Sequence, residues 1–139
     1  MQLANYFFYY FYIGLVIVAG FWGAFINPEF DFRLLFKIET DNLTDFQRIN
    51  LLSQYRFLRA IELGFGVFAI LFVKSIFSKK KFNRLFIFIM GAGVLSRIMS
   101  IAMDGIPNNL MLFFLAFELV GVVVIIFYSR KLIIQNVIA

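Results

Sequence analysis

Apolar stretches alternate with short polar ones along the chain, and the alternation predicts an all-α protein. A helix needs about 20 apolar residues to cross the hydrocarbon core of a bilayer. The first stretch, about residues 6–26, carries no charge and stops at Asn27-Pro28. It lacks a basic leader, its apolar run is too long and no small-x-small cleavage site follows, so it reads as a span and not as a signal peptide. In the polar connection after it, Glu29, Asp31, Glu39, Asp41 and Asp45 outnumber Arg33, Lys37 and Arg48. Its apolar residues, such as Phe30, Phe32, Leu34 and Phe36, suit a segment lying on a membrane surface. Thr44-Asp45-Phe46-Gln47 fits a capping box, which ends an outer loop of residues 27–44 and starts a second helix over about 45–77. The membrane part of that helix is about 55–73.

A basic turn with Lys79, Lys80, Lys81 and Arg84 leads into a third helix, about 82–103. Asp104, Gly105 and Pro107 then form a tight outer turn, with Gly105 suited to the C′ position of one helix and Pro107 to the first turn of the next. The fourth helix covers about 110–128, with Arg130 and Lys131 behind it. The expected fold is an all-α integral membrane four-helix bundle forming a single domain over residues 1–139. Lys74, Lys79, Lys80, Lys81, Arg84, Arg130 and Lys131 fall on one side, the acidic loop and Asp104 on the other. The positive-inside rule therefore expects both termini in the cytoplasm. A multi-pass protein of the bacterial cytoplasmic (inner) membrane is the simplest location.

Composition agrees. Of the 139 residues 63% are hydrophobic, and the mean hydropathy is +0.90. Soluble domains usually hold about 45–50% apolar residues, and a chain this small could not bury the excess. The absence of Cys and His removes disulfides, thiol redox chemistry, His-ligated haem, Cys/His zinc sites and histidine general bases. The 8 acidic residues lie mostly in one loop, so neither a metal nor another cofactor is expected. The net charge of +5 reads as basic cytoplasmic loops, not as nucleic-acid binding. The 21 phenylalanines fit codon bias with lipid-facing filler, or an aromatic pocket for a hydrophobic ligand.

Charges inside the apolar stretches are the informative exceptions, since one at mid-bilayer costs roughly 2.5–3.5 kcal/mol on insertion scales. By helical rise Arg59 lies about 6–10 Å below the outer surface, Arg97 about 9 Å and Glu118 about 13 Å, while Arg56 is close enough to the surface to snorkel. The outer turn brings Arg97 level with about Ala116, within reach of Glu118, and Arg59 and Glu62 share a face at i,i+3. Arg59, Glu62, Arg97 and Glu118 thus make a candidate neutral cluster in the outer leaflet. It would fix helix register by mutual pairing, line an outward-facing polar cavity for a headgroup or anionic ligand, or pair with another subunit. Gly64-x-Gly66 and Gly91-x-Gly93 suggest close helix packing. Ile61-Glu62-Leu63-Gly64 is weakly echoed by Phe117-Glu118-Leu119-Val120-Gly121, as in a duplicated hairpin.

Arg59-Ala60-Ile61-Glu62-Leu63-Gly64-Phe65-Gly66, then Arg97, Asp104-Gly105-x-Pro107 and Glu118-Leu119, resemble the pattern of the DUF4345 family over roughly residues 50–128. The resemblance implies a small bacterial four-helix membrane protein without an established activity, and directs attention to Arg59, Arg97, Asp104, Gly105, Pro107 and Glu118. Glu62 and the longer first loop depart from the family pattern.

The functional expectation is an accessory or assembly subunit of a larger membrane complex, with membrane lipids and other membrane subunits as partners and no nucleic acid. The alternative is a module binding a lipid, quinone or other hydrophobic ligand in an outer-leaflet polar cavity. An enzyme ranks behind both, because lone carboxylates and arginines do acid–base work only in unusual settings. A channel or transporter ranks last, since four short helices enclose no obvious pore.

Overall fold

The computed structural model describes residues 2–138, and every element among them is helical. α1 (Gln2–Phe21) runs on through a π-helical turn, Trp22–Ile26. α2 (Pro28–Asp31) is a single turn followed by a second π-helical turn, Phe32–Phe36, which closes on Lys37 at φ 58°. After a short 3-10 turn come α3 (Asp45–Leu71), α4 (Val73–Ser78), α5 (Lys80–Asp104) and α6 (Asn109–Ile138). The loop expected over 27–44 is thus largely wound into short helical turns. Lys131, expected to flank the last span, lies outside the described side chains.

Among the described residues three helical segments are long and apolar enough to cross a membrane: Tyr6–Ile26, Lys80–Asp104 and Asn109–Arg130. This is a membrane protein by that measure, but α3 is not among the candidate spans. Arg56, Arg59 and Glu62 sit in its middle third, and the helix stops at Leu71 instead of running on to residue 77. Phe72, at φ −105° and ψ 17°, breaks the helix without Gly or Pro, and its ring stacks on Phe82 at the start of α5, centroids 5.5 Å apart.

The chain divides into two compact units. In Ile13–Phe68, α1 and α3 approach closely at glycines. A Cβ on Gly20 would stand 2.7 Å from the Leu63 backbone nitrogen and 2.9 Å from the Arg59 carbonyl oxygen. Gly66 meets the Ile17 side chain, the packing role expected of it. Among the described residues nothing lies within 4 Å of such a Cβ on Gly64, Gly91 or Gly93, so they make no close packing contact there. Gly20→Ala should therefore lower the thermal midpoint in detergent by the equivalent of about 1–3 kcal/mol, since backbone cannot swing aside as a side chain can. Gly64→Ala should be neutral or gain about 0.5–1 kcal/mol from reduced chain entropy. Equal effects at the two positions would refute the close approach.

The other unit takes the chain up to Tyr12 and from Ala69 onward. Its core holds Tyr9, Ile76, Phe86 and Ile125, all fully buried, with Met90, Val94 and Tyr128 nearly so. The Tyr9 ring packs on Phe77 and Phe86 at 5.1 and 5.3 Å, and its hydroxyl donates to the Ala69 carbonyl at 2.6 Å. A buried phenol needs such a partner, because an unpaired one would carry the desolvation penalty.

Candidate functional site

The four expected charged residues fall two to each unit, Arg59 and Glu62 on α3 and Arg97 and Glu118 on α5 and α6. In the Ile13–Phe68 unit the site is larger than expected. The Asn27 side chain accepts from the Phe30 N–H at 3.0 Å and Pro28 takes the first helical position, so α2 starts at a well-formed cap. One turn on, Asp31 is buried beside α3. Tyr55 donates its hydroxyl to Asp31 Oδ2 at 2.9 Å, and Arg59 Nε donates to that same hydroxyl at 2.7 Å. The Arg59 guanidinium lies 3.6 Å from Asp31 Oδ2 and 2.6 Å from Glu62 Oε2, and stands over the Tyr55 ring at 4.9 Å. Gly23 makes room, because a Cβ there would meet Arg59 Cγ at 2.7 Å and Asp31 Oδ2 at 2.8 Å. Phe32 covers Tyr55 at a ring separation of 4.8 Å.

Sequence reasoning placed Asp31 only in an acidic loop and Tyr55 only at a membrane boundary. The cap signature Asn27-Pro28 could have put Asp31 on a short helix, and Tyr55 is an i,i+4 neighbour of Arg59. Arg56 is also engaged: it donates to the Ala24 carbonyl at 2.6 Å, one of the acceptors left open where α1 ends. Nearer the solvent, Arg48 pairs with Glu29. The hydrogen bond to Glu29, then its attraction, hold the Arg48 guanidinium protonated even more firmly than usual. The capping box forms as read, with the Thr44 N–H and hydroxyl both donating to Gln47 Oε1, at 3.2 and 3.0 Å.

In the other unit Arg97 binds Glu118 through two nitrogens, Nε to Oε2 at 3.0 Å and a terminal nitrogen to Oε1 at 3.4 Å. Met111 Sδ lies 3.7 Å from the remaining terminal nitrogen. The Glu118 side chain is 17% exposed and that of Arg97 38%. At the turn between α5 and α6, Asp104 accepts from the Ser100 hydroxyl at 2.9 Å. Gly105 closes α5 at φ 105° and ψ −178°, a region open essentially to glycine alone. Pro107 lies ahead of α6 and not in its first turn. Asn108 caps that helix instead, its Oδ1 accepting from the Met111 N–H at 3.1 Å. Gly105→Val should lower the thermal midpoint by the equivalent of about 1–3 kcal/mol through backbone strain alone, since a Cβ there meets nothing within 4 Å. An unchanged midpoint would remove that strain from consideration.

Chemically, each group pairs an arginine with carboxylates of its own unit. No cluster of three or more His, Cys, Asp or Glu able to hold a metal is found among the described residues. The family model described as a domain of unknown function, DUF4345, matches residues 6–129. The chain belongs to this family. The DUF4345 match extends beyond the segment that carries the motif resemblance, and takes in Gly23, Asp31 and Tyr55 as well as Arg59, Arg97 and Glu118. No curated protein and no solved structure matches the chain.

Proposed function

We propose that this DUF4345 protein is an accessory or assembly subunit of a larger membrane complex, docking through α5. The observation that carries the reading is an unused small-residue stripe. Ala92, Ser96 and Ser100 recur every four residues with Gly93 beside them, and all four are exposed. Small residues at this spacing let helices in a membrane approach closely, where dispersion and polar contacts supply the attraction that lipid does not oppose. The Ser96 hydroxyl is turned back onto the Gly93 carbonyl at 2.8 Å, which leaves the stripe smooth. Arg59 and Arg97 already face carboxylates of their own unit, which supports a role in holding helices together over one as free ligands for an outer-leaflet guest. On this reading α3 serves as a fourth span, its charges paired, and both termini face the cytoplasm of a bacterial inner membrane.

Tagged protein extracted in mild detergent should co-purify membrane proteins at fixed stoichiometry. Ala92→Leu with Ser96→Leu should release them while the thermal midpoint of the isolated chain stays unchanged. Retention of every partner by that variant would refute docking through α5. Cysteines placed at Asp41 and Asn108 should react with an impermeant reagent from outside the cell, and labelling only after lysis would reverse the topology.

A further inference from the structure

One cleft of about 490 Å³ lies entirely in the unit that contains α5 and α6, at the opposite end of their hairpin from the outer turn. Its polar lining is Lys80, Asn83 and Arg84 from the first turns of α5 and Arg130 from α6. Ile87, Phe88 and Ile126 complete the wall. The α5 residues recur at the spacing of one helix face, and Arg130 follows Ile126 by one turn, so the cleft grades from charged to apolar along both helices. The cations have no acidic residue in the lining. Asn83 is only 5% exposed, and its Nδ2 has no hydrogen-bond partner among the described residues. A buried amide donor left unpaired is costly, so one that lines a basic cleft points to an acceptor supplied from outside the chain.

We propose that this cleft binds the phosphate of an anionic phospholipid. Lys80 opens one candidate span and Arg130 closes another, which puts the cationic group at the level where headgroups lie and the apolar wall at the level of the first acyl carbons. Arg84 and Arg130 grip the phosphate oxygens with charge-assisted hydrogen bonds, Lys80 adds a point charge, and Asn83 Nδ2 donates to a further oxygen. The start of α5 contributes its own positive end. Phe88, 71% exposed, and Ile87 lie along the acyl chains. Lys81, exposed on the same turn, does not line the cleft and serves as a control of equal charge.

The test uses the full chain, delipidated in neutral detergent and titrated with phosphatidylglycerol, phosphatidylcholine or inorganic phosphate, with native mass spectrometry and the thermal midpoint as readouts. Phosphatidylglycerol should bind at one copy per chain and raise the midpoint. Arg84→Gln and Arg130→Gln should each weaken it by about tenfold, Asn83→Leu by several-fold, and Lys81→Gln not at all. The same copy number and affinity for phosphatidylcholine would overturn the requirement for an anionic lipid. Binding of inorganic phosphate without phosphatidylglycerol would assign the cleft to a free anion and overturn the lipid. Equal losses from Lys81→Gln and Arg84→Gln would reduce the effect to diffuse surface charge and overturn the site.

Discussion

Arg59→Leu should be among the most damaging single substitutions in the chain, costing about 3–5 kcal/mol, because it leaves the buried Asp31 carboxylate without its cation. The Arg59 side chain is 14% exposed and that of Asp31 11%, so neither can recover its lost partner from solvent. Tyr55→Phe removes only the neutral link between Arg59 and Asp31 and should cost about 1 kcal/mol or somewhat more. Arg59→Lys keeps the charge but cannot serve Tyr55 and Glu62 with a planar fork, so it should fall between the two. Adding Asp31→Asn to Arg59→Leu should restore part of the loss by removing the orphaned charge. Thermal unfolding in detergent of the four variants orders these effects. Arg59→Leu no worse than Tyr55→Phe would show that Arg59 reaches solvent and that the network is superficial.

The second large effect concerns Arg97 and Glu118. An ion pair in water is worth about 0–1 kcal/mol, whereas breaking a buried one costs about 3–5 kcal/mol. The 38% exposure of Arg97 suggests the lower figure if what it meets is water. Arg97 and Glu118 both lie within candidate spans, however, and on the proposed membrane reading their exposure is to lipid, which screens nothing. Arg97→Leu and Glu118→Leu should therefore each fall in the higher range, and the double replacement should recover most of the loss, since two apolar side chains leave no buried charge. A double-mutant cycle measures the coupling directly. Additive single effects would show that the two side chains do not act on each other. A coupling under about 1 kcal/mol would instead place the pair in water and argue against the lipid-facing position.

The features legible in the sequence are those that short separations control. The capping box at Thr44 needs only four residues, and the positive φ at Gly105 is a property of one turn. The approach of Arg97 to Glu118 follows from helical rise counted outward from a short connection, which leaves little freedom in depth. The three candidate spans show as long, predominantly apolar stretches. The apolar pattern of α3 continues past Leu71, where the helix ends, and nothing local to Phe72 marks the break; a ring stack with Phe82 accompanies it.

Hydropathy, caps and turn chemistry thus determined by themselves that the chain is helical, where most helices start and stop, and that a few charges sit among apolar neighbours. They act through the backbone of one segment at a time. Tertiary structure alone decided which glycine faces another helix: Gly20 and Gly23 prove to be contact points, while Gly64, Gly91 and Gly93 meet none of the described residues, although all five look alike in sequence. It also joined Asp31 to Tyr55 across 24 residues, through a one-turn helix hidden in a polar loop, and left Asn83 Nδ2 buried at the edge of a basic cleft with no hydrogen-bond partner among the described residues. These outcomes depend on the rotation of each helix about its axis and on where helices cross, and the period of a nearly uniform apolar helix leaves both undetermined.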